Sequence, residues 1–194
     1  MNILFAINQA NKFLNAKGII SSRLDCEILL SKVTQSNRSE ILLNLNKELS
    51  NKELDYFKNL VEQRSKKKPI AYIIGKKEFW KNEFYVSEDV LIPRPDTELI
   101  VHKVLEITKK RTNLNILDIG VGSGCILLSI LRERKHFYGT GIDISKNCLK
   151  IANMNASNLR VNSRLKLYKS NVDKFNLGKY DLIVSNPPYI KKHI

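Results

Sequence analysis

The chain has 194 residues, 43% of them hydrophobic and 27% charged, enough for one full domain or two small ones around a packed core. No apolar run approaches the roughly 18 residues of a membrane span, and Met1–Ala6 lacks the basic start of a secretory signal. The net charge of +14 favours polyanionic neighbours such as RNA, DNA or a ribosome. The lysines are scattered, with Lys66-Lys67-Lys68 the only lysine triplet, so biased composition is the simpler account of that charge.

Residues 1–68 read as helical. Ile3, Ile7, Ala10 and Leu14 recur at helical spacing, and Gly18 suits the stop of that helix. Leu24, Ile28 and Leu29 mark a second helix after Ser21-Ser22. Ser50 with Glu53 forms a capping box that opens a helix through Leu54, Phe57 and Val61. Nothing in this stretch offers a nucleophile, a ligand pair or a glycine loop. It reads as a small bundle that packs or binds a partner.

Residues 69–94 change character. Glu78-Phe79-Trp80 and Glu83-Phe84-Tyr85-Val86 are strand-like runs around a turn at Lys81-Asn82. The prolines of Leu91-Ile92-Pro93-Arg94-Pro95 keep the chain extended. Pro95 and the acids after it then suit the first turn of a helix to about Lys110.

From residue 114 strands and helices alternate, which predicts an α/β fold with a parallel sheet and right-handed crossovers. The strands are Asn115–Ile119, Phe137–Ile142, Leu165–Tyr168 and Asp181–Val184. Ile126–Leu131 is a core helix, and Ser145 caps another that runs to about Asn158.

Three short segments carry the chemistry. Asp118-Ile119-Gly120-Val121-Gly122-Ser123-Gly124 follows a strand and opens a helix, where glycines let a ligand approach the backbone. Cys125 stands where a dinucleotide fingerprint needs glycine or alanine, and no P-loop is present. Asp143 ends the second strand and can accept hydrogen bonds from both hydroxyls of a ribose. Its other reading is a helix cap, a role Ser145 already fills. Ser185-Asn186-Pro187-Pro188-Tyr189 follows the fourth strand. Two prolines donate no N–H, which leaves carbonyl acceptors for a planar –NH2 group, with Tyr189 as a flat wall.

His102, His136 and His193 lie outside these motifs, and no metal cluster or nucleophilic triad is predicted. The cysteines Cys26, Cys125 and Cys148 form no CxxC pair, so a reducing cytoplasm is expected. Transfer of a methyl from a sulfonium to an amino or amide nitrogen fits such a site, because positioning outweighs base strength there.

With Leu91–Glu98, Asp118–Gly124, Gly141–Asp143 and Asn186–Tyr189 in this order, the chain resembles the protein-(glutamine-N5) methyltransferases of peptide-chain release factors, the PrmC/HemK family. The resemblance implies a Rossmann-like class I methyltransferase sheet over 95–194, a β-hairpin linker over 69–94 and a helical release-factor-docking domain over 1–68. It implies S-adenosylmethionine as cofactor and the Gly-Gly-Gln loop of release factors as partner, in a cytoplasmic monomer. Gly120, Val121, Gly122, Ser123 and Gly124 would line the methionine and ribose, and Asp143 would hold the ribose. Asn171 and Val172 would flank adenine where the family usually has an acid and an aromatic or apolar residue. Asn186 would touch cofactor and substrate, with Asn186 and Pro187 at the reacting amide and Pro188 and Tyr189 completing the glutamine site.

The family continues past this last motif, so an incomplete sheet and little activity are expected of this span alone. Two other functions fit parts of the pattern. One is a nucleic-acid amino methyltransferase of the adenine-N6 type. The other is a non-catalytic form that binds a release factor or ribosome.

Overall fold

The computed structural model describes residues 1–187 and divides into two units, Met1–Ile74 and a second unit from Gly75 onward. Pro188, Tyr189 and His193 lie outside the described residues.

The first unit is helical: α1 (Ile3–Ala16), α2 (Ser22–Thr34), α3 (Arg38–Leu43), α4 (Asn51–Ser65) and the short α5 (Ile70–Ile74). The predicted stripe Ile3, Ile7, Ala10 and Leu14 faces inward on α1, which Gly18 ends at φ +75°. The Ser50–Glu53 capping box forms as predicted, and Asn37 with Glu40 makes a second one on α3.

α2 differs from its predicted face. Cys26, Leu29 and Leu30 are fully buried, whereas Leu24 is 43% exposed and Ile28 is half-buried. Buried acids set this rotation. Asp25 accepts from Arg64 at 2.7 Å, and Glu27 accepts from Arg23 at 2.8 Å and Arg38 at 2.7 Å. Burial pushes the Glu27 pKa up, but the Arg38 and Arg23 hydrogen bonds outweigh it and hold the carboxyl below its ordinary value.

The second unit begins with a hairpin, β1 (Lys76–Phe79) and β2 (Asn82–Tyr85). Its turn is Trp80-Lys81, with φ of +46° and +63°, one residue before the predicted Lys81-Asn82. This register buries Phe79 and Phe84 edge-on at 6.1 Å. The Glu98 carboxylate accepts from the Trp80 backbone N–H at 2.9 Å and secures the strained turn.

A 3-10 turn (Pro95–Thr97) leads into α6 (Glu98–Ile107). This helix stops short of Lys110, at Thr108, whose hydroxyl donates to the Val104 carbonyl at 2.6 Å. There follow β3 (Asn115–Ile119), α7 (Cys125–Glu133), β4 (Tyr138–Asp143), α8 (Lys146–Asn158), β5 (Leu165–Lys169) and β6 (Leu182–Ser185). The predicted strands and helices are therefore all present, with ends displaced by up to about three residues. Every residue from Ile126 to Leu131 is buried, Ser129 included, and only the last residues, Arg132 and Glu133, are exposed.

The four-stranded sheet has the order β5-β4-β3-β6 and is parallel throughout. The chain winds outward from β3 through β4 to β5, then returns to the other side of β3 as β6. That reversal opens a crevice at the carboxyl ends of β3 and its neighbours, where open α/β sheets bind ligands.

Candidate active site

A cavity of about 640 Å³ occupies this crevice. Its walls include Gly120, Gly122, Asp143, Asn171, Val172, Asn186 and Pro187. Residues from four separate strand ends thus converge, because the parallel register puts Ile119 opposite both Ile142 and Ser185.

The glycine loop divides into two parts. Gly120 (φ +76°) and Gly122 (φ +54°) face open space, with no side chain within 4 Å of where a Cβ would stand. A ligand can therefore lie on bare backbone there. Val121, Ser123 and Gly124 do not reach the cavity wall. Val121 packs against Gly141, where an added Cβ would come within 2.8 Å of its Cγ2. Ser123 is 3% exposed, and a Cβ on Gly124 would meet Leu128 at 2.7 Å. These residues shape the loop from behind instead of lining it.

Asp143 braces the same loop. One carboxylate oxygen accepts from the Gly122 N–H at 3.0 Å and the other from the Ser145 N–H at 2.9 Å. Ser145 caps α8 by accepting from the Cys148 N–H at 3.3 Å. The two roles weighed for this acid thus separate. Ser145 is the cap, and Asp143 joins loop to helix while each oxygen keeps a further lone pair for a diol.

Apolar residues close the cavity. Leu91 is 62% exposed, Ile144 71% and Val172 53%, and all three line it. Large exposed aliphatic groups around one mouth suit the faces of a flat, partly apolar ring. The Asn171 Oδ1 accepts from the Lys174 N–H at 3.0 Å, capping a short 3-10 turn, so Nδ2 and one lone pair face outward. On the far wall the Asn186 Nδ2 donates to the Thr97 hydroxyl at 3.4 Å. Ser185 seats this segment through its hydroxyl, which donates to the Ile119 carbonyl at 2.9 Å.

Several supports were not foreseen as site residues. Asn155 on α8 is fully buried. Its Nδ2 donates to the Ser123 carbonyl at 2.8 Å and the Tyr85 carbonyl at 3.1 Å, while its Oδ1 accepts from the Tyr85 N–H at 2.7 Å. A single polar side chain thus bolts the glycine loop to the hairpin. Asp118 is 1% exposed. Burial pushes its pKa up to about 7, opposed by the Leu127 N–H and reinforced by the Asp143 carboxylate. Its Oδ1 has no hydrogen-bond partner among the described residues. Cys148 lines the cavity, but its thiol donates to the Asp89 carbonyl at 3.2 Å and burial raises its pKa, so it is no ready nucleophile. Among the described residues no group of three His, Cys, Asp or Glu could hold a metal, and no helix is long and apolar enough to cross a membrane.

An open glycine turn, a carboxylate on the next strand and an asparagine after the fourth define a site of the nucleoside-cofactor methyltransferase class. Comparison with known proteins agrees. Residues 96–193 match the profile of the methyltransferase small domain, and residues 6–75 match that of the PrmC N-terminal domain. The release factor glutamine methyltransferase of Buchnera aphidicola subsp. Schizaphis graminum is 40% identical over 190 residues, covering 98% of this chain and 68% of that protein. That of Leptospira interrogans is 40% identical over 195 residues, covering 97% and 68%. The bifunctional methyltransferase of Rickettsia typhi is 40% identical over 203 residues, covering 95% of this chain but only 39% of its own length. The chain belongs to the release factor glutamine methyltransferase (PrmC/HemK) family.

Proposed function

We propose that this protein transfers a methyl group from S-adenosylmethionine to the side-chain amide nitrogen of the glutamine in the Gly-Gly-Gln loop of peptide-chain release factors. The observation that carries this reading is the single cavity shared by Gly120, Gly122, Asp143, Asn186 and Pro187.

The residues fit the cofactor. Bare backbone at Gly120 and Gly122 accommodates the aminoacyl tail, and the spare lone pairs of Asp143 accept from the ribose hydroxyls. Ile144, Val172 and Leu91 cover the faces of the base, with Asn171 at its polar edge. The cofactor, when bound, supplies a methyl group on a positively charged sulfur. The chain supplies position. Asn186 and Pro187 present acceptors and no backbone donor from Pro187, so an amide –NH2 is held by its hydrogens with its nitrogen aimed into the crevice. Acceptors on those hydrogens also favour the positive charge that grows on nitrogen during attack. Pro188 and Tyr189, which lie outside the described residues, would complete the amide's seat.

In this reading the helical residues 1–68 dock the release factor, and the protein works as a cytoplasmic monomer. The three free cysteines suit a reducing compartment, and the charge of +14 suits the neighbourhood of ribosomal RNA. The test is mass spectrometry of a release factor incubated with the full-length protein and S-adenosylmethionine. One methyl gained on the loop glutamine is expected, and Asn186→Ala should cut turnover by about a hundredfold with cofactor affinity nearly kept. An unmodified glutamine, or methylation of bare RNA or DNA instead, overturns the reading.

A further inference from the structure

Asparagine has two ends of nearly equal shape and opposite hydrogen-bonding character. Which end meets a substrate –NH2 decides whether the contact attracts or repels. The structure gives Asn186 a partner on one end: its Nδ2 donates to the Thr97 Oγ1 at 3.4 Å, across 89 residues of sequence. The amide is planar, so this bond turns Oδ1 to the opposite side.

Thr97 is well placed to hold that orientation. It is 8% exposed and closes the 3-10 turn Pro95–Thr97, in which its own N–H donates to the Arg94 carbonyl at 3.0 Å. Pro95 fixes φ at the turn's first position. The next residue, Glu98, is anchored to the Trp80 N–H at 2.9 Å. The hydroxyl therefore sits on a pre-organised element, which is what a positioning contact needs.

We infer that Thr97 is a positioning residue that anchors the Asn186 amide, with its oxygen turned toward the accepted amide nitrogen. This deepens the proposed function and rests on it. An unanchored Asn186 would have to be ordered at each turnover.

Thr97→Val removes the hydroxyl at nearly constant shape, Thr97→Ala removes it without the branched side chain, and Thr97→Ser keeps it. In the full-length protein, the Asn186 side-chain amide resonance is assigned by its loss in Asn186→Ala. It should move and its protons exchange faster in Thr97→Val and Thr97→Ala, and stay in place in Thr97→Ser. With a glutamine-containing loop peptide, kcat should fall about tenfold in the first two variants. S-adenosylmethionine affinity should stay within about twofold, and Thr97→Ser should recover most of the rate. An unmoved resonance, or an unchanged kcat in both hydroxyl-free variants, overturns the inference. Should the wild-type protein leave every glutamine peptide unmodified, the proposed function and the orienting role fail together. The resonance comparison then still decides whether the Thr97–Asn186 bond exists.

Discussion

Asn155→Leu is the sharpest perturbation of the frame behind the site. Leucine fills nearly the same space but removes both hydrogen bonds from Nδ2, to Ser123 at 2.8 Å and Tyr85 at 3.1 Å, and the one accepted from Tyr85 at 2.7 Å. At about 1 kcal/mol net per bond the loss is about 3 kcal/mol. It tends higher because Ser123, 3% exposed, keeps a carbonyl with no water in reach. Urea unfolding reads this directly. Trp80 is the single tryptophan and lies in the hairpin turn, so its fluorescence follows the second unit. With a slope of about 1.5 kcal/mol per molar, the midpoint should fall by about 2 M. Cofactor affinity should fall too, since Ser123 adjoins Gly122 in the loop. A midpoint shift below about 0.5 M would refute the view that this side chain bolts loop to hairpin.

The two kinds of glycine should respond differently. Gly141→Ala drives a Cβ to 2.8 Å from Val121 and 2.9 Å from Leu167, so a stability loss of about 1–3 kcal/mol is expected in thermal unfolding. Gly120→Ala meets no atom within 4 Å; strain at φ +76° costs about 1 kcal/mol, and calorimetry should show the larger effect on cofactor binding. Asp118 predicts a pH dependence. Its folded pKa of about 7 lies above its ordinary value of 3.8, so the native state binds more protons than the unfolded state between those values. Stability from this group is full below about pH 4 and falls as pH rises to about 7. Urea midpoints of wild type minus Asp118→Asn should therefore decline across that window, and a flat difference would contradict the buried, neutral acid. Asp143→Ala removes the acceptors for Gly122 and Ser145 and should weaken S-adenosylmethionine binding at least tenfold by calorimetry; unchanged affinity would remove Asp143 from the ribose site.

Much of the fold was legible because periodicity and caps are local. The stripe on α1, the Ser50–Glu53 box and the Ile126–Leu131 run, apolar but for Ser129, each state their environment within a few residues. The strand–helix alternation then left little choice of sheet topology. The face of α2 was illegible because Asp25 and Glu27 are buried by arginines that lie elsewhere in sequence, at Arg64 and Arg38. Charged residues read as solvent-facing until their partners are known. The hairpin slipped by one residue because Trp80 and Lys81 take positive φ without the glycine or asparagine that signals such a turn.

The site was legible where backbone chemistry is distinctive. Gly120, Gly122, Asp143, Asn186 and Pro187 meet around one cavity as their motifs suggest. Val121, Ser123 and Gly124 share the same motif but pack inward, against Gly141, Asn155 and Leu128. Of the unforeseen contributors, Leu91 and Thr97 belong to the Leu91–Glu98 stretch, to which no site role was assigned, and Ile144 and Asn155 carry no motif of their own. Leu91 looks like linker and Asn155 like an ordinary helix surface residue until the hairpin and the glycine loop close on it.

The central claim is that the crevice beside β3 seats the methyl donor with its sulfur turned toward Asn186. A crystal structure of the full-length protein with S-adenosylhomocysteine tests it most directly. The expected result is density over Gly120 and Gly122, ribose hydroxyls within hydrogen-bonding distance of the Asp143 carboxylate, and a clear path from sulfur to the Asn186 Oδ1. Density in the other large cavity, the groove of about 630 Å³ lined by Ala10, Phe57 and Val61, or a sulfur facing away from Asn186, would contradict it.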